Sequence, residues 1–139
     1  MRTFFDTNVL VCLFDADASK KQAKARKLLG REAGAGRATL STQVLQEFFI
    51  TVTRKLAVPL EVDQAERAVR RLADLSVVQV DPDLILSAIG MSIRNKLSLW
   101  DALIVRAAQE SGATILYSED LQHGQKFDAL EIVDPFRGS

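Results

Sequence analysis

The sequence predicts an α/β fold: one domain built on a compact parallel sheet of five strands flanked by helices. Three observations lead there. Short runs rich in β-branched and aromatic residues alternate with helical periodicities from end to end, the mark of strand–helix–strand units. The first of these runs is apolar on consecutive residues, as a strand buried on both faces is. Two of the runs lead straight into acids, Phe4-Phe5 into Asp6 and Thr114-Ile115-Leu116-Tyr117 into Ser118-Glu119-Asp120. In open α/β sheets the carboxyl ends of the strands are where ligands bind.

Strands are predicted over 3–6, 38–41, 77–80, 114–117 and 130–133. Helices are predicted over about 9–15, 19–31, 43–57, 63–75, 83–95 and 99–111. Several boundaries carry chemical punctuation. Asp63 with Glu66 reads as a variant capping box. Asp81-Pro82 places an N-cap before a proline at the first helical position. Ser98 is a candidate N-cap for the helix from Leu99. Gly112 suits the left-handed residue that ends it. Pro135 stops the last strand, and 136–139 read as a short tail. The glycine-rich piece 30–36 is a loop inside a single domain spanning 1–139.

A chain of 139 residues with 47% hydrophobic content is large enough to bury a real core. Its 18 basic and 18 acidic residues cancel, so excess charge gives no argument for nucleic-acid binding. A local basic patch remains open, because binding responds to charge distribution. Cys12 is the single cysteine and His123 the single histidine. That excludes an internal disulfide and a zinc site built from several Cys and His residues. Cys12 lies in an apolar run and reads as a small buried hydrophobe. No stretch reaches the ~20 apolar residues of a membrane span. The N-terminus lacks a signal-peptide pattern. The expected location is the cytoplasm.

Four acids are candidates for chemistry. Asp6 leaves the first strand, and it either caps the helix that follows or faces a pocket. Asp120 has the same two readings, and Glu119 is close enough in sequence to share its role. Asp101 falls at the border of an apolar arc formed by Leu97, Trp100, Leu103, Ile104, Ala107 and Ala108. It either sits at the third helical position behind Ser98, where an acid suits the helix dipole, or points into a half-buried site needing a cation. Glu47 lies opposite the face of Leu45, Phe48, Phe49, Val52 and Leu56, so periodicity alone makes it solvated surface.

Taken jointly, the acids point to a metal. Two carboxylates ~4 Å apart repel by roughly 4 kcal/mol at an effective dielectric of 20. Several converging acids stay ionised near neutral pH only with a cation. Mg²⁺ or Mn²⁺ suits all-oxygen ligation and supports phosphodiester hydrolysis. Two further features stand out. Lys20, Lys24, Lys27 and Arg31 share a helix face, joined by Arg54, Lys55, Arg67, Arg70, Arg71, Arg94 and Lys96. They form either solvated surface or a track for a phosphate backbone. Val44, Ile50 and the stretch 84–91 carry more apolar surface than one face needs, which core burial or an isologous dimer would absorb.

The motifs Phe-Phe-Asp6-Thr7-Asn8, Ser-Thr-Gln-Val-Leu-Gln-Glu47-Phe, Leu-Ser-Leu-Trp-Asp101-Ala-Leu-Ile and Leu-Tyr-Ser118-Glu-Asp120-Leu resemble the acidic motifs of PIN domains, most of all VapC-type toxins of toxin–antitoxin systems. The resemblance covers nearly the whole chain. It implies a metal-dependent endoribonuclease with Asp6, Glu47, Asp101 and Asp120 as its acidic quartet, metal ligands included. Glu47 enters the quartet on the resemblance alone. Thr7, Asn8 and Ser118 would support the ligands or contact substrate. The resemblance also implies an RNA substrate, Mg²⁺ or Mn²⁺, a homodimer and a small VapB-type antitoxin. One departure is that Leu121-Gln122-His123-Gly124 follows Asp120, where many members place an aromatic residue three positions on. Two other classes fit a strand-exit aspartate. One is phosphoryl transfer through an aspartyl nucleophile, although Asn8 stands where such enzymes carry a second aspartate. The other is a non-catalytic RNA- or protein-binding module whose acids recognise a basic partner segment.

Overall fold

The computed structural model describes residues 1–138; the end of the predicted tail, Ser139, lies outside the described residues. The chain runs β1 (Arg2–Phe5), α1 (Thr7–Val11), a 3-10 turn (Cys12–Phe14), α2 (Ser19–Gly34), β2 (Ala38–Ser41), α3 (Thr42–Arg54), α4 (Val62–Ala73), β3 (Ser76–Val78), α5 (Pro82–Asn95), α6 (Leu99–Glu110), β4 (Ala113–Tyr117), β5 (Lys126–Phe127) and β6 (Leu130–Val133). The strands form one sheet in the order β3-β2-β1-β4-β6-β5. All neighbours are parallel except β5 and β6.

The five predicted strands are therefore present, with a sixth added at the edge. Its hairpin turns over Asp128-Ala129, with Asp128 at φ 56°. Aspartate tolerates that left-handed region better than most residues. Asp-Ala lacks the glycine that usually announces a two-residue hairpin, which is why the sequence did not reveal it.

β1 lies inside the sheet between β2 and β4, and its last three residues are buried. Phe4 and Phe5 are fully buried, between helices on one side of the sheet and the other. Truncating either to alanine would cost about 3–5 kcal/mol. Successive strands first step outward from β1 through β2 to β3, then return to its other side as β4. The crevice between the ends of β1 and β4 is thus a topological switch point.

The predicted caps at the later helices form. Asp81 accepts from the Leu84 N–H at 2.9 Å and Ser98 from the Asp101 N–H at 3.0 Å. Gly112 takes φ +80° after α6. The box at Asp63 is a correction: α4 begins one residue earlier, where Gln64 Oε1 accepts the Glu61 N–H at 3.1 Å. Asp63 instead lies in the first turn, where its charge suits the dipole. At the C-terminus Phe136 is buried, and Lys21 Nζ lies 5.5 Å from its ring centre, so the tail begins after a core residue.

Candidate active site

Phe5 pairs in register with Tyr117, so the next residues, Asp6 and Ser118, leave adjacent strands side by side. Ser118 Oγ donates to Asp6 Oδ2 at 2.8 Å. Asp6 Oδ1 accepts the Thr7 N–H at 2.7 Å, and Asn8 Nδ2 reaches Oδ2 at 3.3 Å. The two sequence readings of Asp6 are therefore both true: it caps α1 and it lines a cleft. A helix cap at a strand exit is how the fold aims one carboxylate at the switch point.

The Ser118 hydroxyl also accepts the N–H groups of Asp120 at 3.1 Å and Leu121 at 3.3 Å. It holds the Asp120 loop against Asp6. Asn8 Oδ1 accepts the Glu119 N–H at 3.1 Å and fixes the same loop from the other side. The Glu119 carboxylate is ion-paired with Lys21, which separates its situation from that of Asp120.

Glu47 is half-buried and faces the cleft, against its wheel reading. Thr7 Oγ1 donates to its Oε1 at 2.7 Å, and Gln43 Nε2 reaches its Oε2 at 3.3 Å. The reason is that α3 has three neighbours. Val44, Phe48 and Val52 enter the main core, Leu45 and Phe49 flank a groove shared with α4, and Gln43 and Glu47 face α1 and α6. Val44, which the wheel places outside the main apolar face, is fully buried.

Asp101 sits in the first turn of α6 with its N–H held by Ser98, and it too lines the cleft. Asp6, Glu47, Asp101 and Asp120 thus border one cavity of about 620 Å³. Burial pushes the Asp6 carboxyl up to about 6; the Ser118 and Thr7 hydrogen bonds oppose this, and the charges of Asp120 and Glu47 add to it. Asp101 is raised by burial, then by Asp120 and Glu47. The four acids share one electrostatic field, and among the described residues no cation is paired to Asp6.

Among the described residues, no three His, Cys, Asp or Glu side chains stand close enough to enclose an ion unaided. Hydrogen bonds from Thr7, Asn8, Ser118 and Gln43 hold the carboxylates in place around the cleft. An all-oxygen set with room for water suits a hard dication that keeps part of its hydration shell.

Sequence reasoning did not place Lys21, Gln43 or Trp100 in this cleft. Lys21 and Gln43 line it, and Trp100, expected on the buried arc of α6, is 64% exposed at its edge. A wheel finds the arc but not where the neighbouring elements stop. The stripe of Lys20, Lys24, Lys27 and Arg31 is exposed and lies outside the cleft, whose lysines are Lys21 and Lys55. Cys12 borders the cleft as a buried thiol pushed up to about 11 by burial, the inert hydrophobe its sequence context indicates.

The family model of the PIN domain matches residues 3–127. The chain belongs to the PIN domain family. Among curated proteins none matches this PIN domain in sequence. Its fold is similar to that of solved structures of toxin–antitoxin systems. A toxin–antitoxin complex from Klebsiella pneumoniae matches at TM-score 0.72 and 21% identity, covering 96% of this chain and 98% of the other. DNA-bound VapBC from Salmonella typhimurium matches at TM-score 0.67 and 16% identity, covering 97% and 98%. Mycobacterium tuberculosis VapC20, described as a sarcin–ricin-loop-cleaving toxin, matches at TM-score 0.59 and 19% identity, covering 84% and 88%. Among the described residues no helix is long and apolar enough to cross a membrane.

Proposed function

We propose that this PIN domain is a VapC-type toxin, a cytoplasmic Mg²⁺- or Mn²⁺-dependent endoribonuclease that hydrolyses RNA phosphodiester bonds. The observation that carries the reading is a buried, cation-free Asp6 raised to about 6 in a cleft it shares with Glu47, Asp101 and Asp120. A cleft in which burial and neighbouring acids raise both Asp6 and Asp101 is built to receive positive charge.

In this reading Asp6 and Asp101 are the principal ligands, with Asp120 completing the cluster and Glu47 orienting a ligand water. When bound, the dication supplies a water of lowered pKa and neutralises charge developing on the phosphate. The chain's own work is positional. Ser118 and Thr7 hold Asp6 and Glu47 at fixed angles, as outer partners of metal ligands do. Asn8 fixes the loop that carries Asp120. An aspartyl-nucleophile mechanism fits less well, since Asn8 stands where such enzymes carry a second aspartate and is spent on holding Asp6 Oδ2 and the Glu119 N–H.

Two partners complete the proposal. The likeness to toxin–antitoxin assemblies supports a VapB-type antitoxin. Ile85, Leu86, Ile89 and Ile93 leave an exposed apolar face on α5, which supports a homodimer. The test is incubation of the purified protein with total cellular RNA, with and without Mn²⁺, and mapping of new ends. Discrete metal-dependent ends that vanish with Asp101→Asn are expected. Ends formed equally in chelator, or no ends with either metal, would overturn the reading.

A further inference from the structure

Resting on the nuclease reading above, we propose that Trp100 and Ile50 seat an unpaired nucleobase beside the cleaved phosphodiester, with Gln43 holding the turn that carries Trp100. Trp100 precedes Asp101 in the first turn of α6 and lines the same cleft. It is 64% exposed, and Ile50, which lines the cleft from α3, is 47% exposed. Acids alone would serve a hydrated ion and a phosphate. An indole and a branched aliphatic side chain have no use for either. They offer what a base needs, a flat apolar surface on which its π-face can rest.

Gln43 positions the platform. Its Nε2 lies 3.3 Å from Glu47 Oε2 and 3.3 Å from the Trp100 carbonyl oxygen. Both neighbours are acceptors, so the amide nitrogen must face them; turning the amide over would set oxygen against oxygen. Oε1 is thereby left as an acceptor, buried and without a partner among the described residues, in a residue only 6% exposed. Buried acceptors are normally paired. Oε1 itself has no accessible surface for a ligand to reach, so the amide's contribution is to tie the first turn of α6, and Trp100 with it, to α3. Lys55 lines the same cleft, forms no ion pair among the described residues, and places positive charge where the sugar–phosphate chain would enter. The proposed antitoxin is the rival occupant of this surface; the acidic cleft it shares favours the base.

Trp100 is the only tryptophan, so its fluorescence reports the platform directly and without catalysis. Full-length protein in chelator is titrated with short oligoadenylate and oligouridylate, an abasic strand of equal length, and a duplex. Saturable quenching by the single strands, with little from the abasic strand or the duplex, is the expected result. Anisotropy of a labelled single strand should show affinity about tenfold weaker in Trp100→Ala and near wild type in Trp100→Phe. With metal, Trp100→Ala should raise KM more than it lowers kcat. Equal quenching by the abasic strand, or undiminished affinity in Trp100→Ala, would overturn the seat while leaving the nuclease reading intact. Quenching by single strands in a protein that cuts no RNA would support the seat and sink the nuclease reading. A response to antitoxin but none to RNA would assign the surface to the protein partner and overturn the proposal.

Discussion

Two buried carboxylates in this molecule, Asp6 and Glu32, have opposite electrostatic fates. Each is almost wholly withdrawn from solvent, and each accepts a hydroxyl hydrogen bond, Asp6 from Ser118 at 2.8 Å and Glu32 from Thr3 at 2.9 Å. Glu32 also receives Arg37 Nη2 at 2.6 Å and Arg31 Nε at 3.2 Å. The Arg37 bonds hold its carboxyl down to about 2, with Thr3 and Arg31 assisting against burial. Asp6 has no cation partner among the described residues; burial holds it up to about 6, and Asp120 and Glu47 add to the rise. The first site is electrically complete and ties α2 to β1 and β2. The second is incomplete, and the missing element is positive charge. Burial alone does not distinguish a structural acid from a functional one; the company it keeps does.

The comparison breaks most visibly on Asp6→Asn. Asparagine keeps the helix cap and the shape but removes the charge. Cleavage should fall by roughly a thousandfold or more, since several kcal/mol of charge stabilisation are lost with the ion. Relative to wild type, the fold of the variant should gain stability as pH rises, because ionising Asp6 in the metal-free protein costs on the order of 3 kcal/mol between its ordinary 3.8 and about 6. A group raised in the folded state stabilises below its unfolded pKa and loses that contribution as pH rises through the folded value. The gain in Asp6→Asn should therefore be absent near pH 4 and complete above pH 6, read by urea unfolding across that window.

Glu32→Gln should do the reverse. It should destabilise the fold by roughly 3 kcal/mol at neutral pH while leaving cleavage per folded molecule unchanged. Glu32 is lowered in the folded state, so the loss should fade as pH falls from 4.5 toward 2. Saturation with Mg²⁺ should stabilise wild type by about 3 kcal/mol at a hundredfold excess over Kd, and Asp6→Asn far less, in a thermal shift experiment. Ser118→Ala removes the hydroxyl that positions both Asp6 and the Asp120 loop. It should weaken metal affinity or activity about 10–100-fold. Thr7→Val, which frees only Glu47 Oε1, should sit at the low end of that range in kcat.

Most of the fold was legible because buried parallel strands write themselves as apolar runs and helices as periodicities. Asp6 and Asp120 were legible for the same reason, since an acid ending an apolar strand marks the sheet edge. The edge strand Lys126–Phe127 was hidden because two residues carry no period. Glu47 was hidden because a wheel assumes one core, whereas α3 meets the main core, α4 and α1 on three sides; the family motif recovered it. Trp100 and Gln43 escaped both methods. One looks like a core aromatic and the other like a surface amide until the cleft they border is seen.

The most direct test is the titration of the Asp6 carboxyl itself, followed by carbon-13 NMR in chelator and again in saturating Mg²⁺. The account predicts a midpoint near 6 without the ion and one below the ordinary 3.8 with it. An ordinary midpoint in chelator, or one that Mg²⁺ leaves where it was, would contradict the claim that this cleft is built around a missing cation.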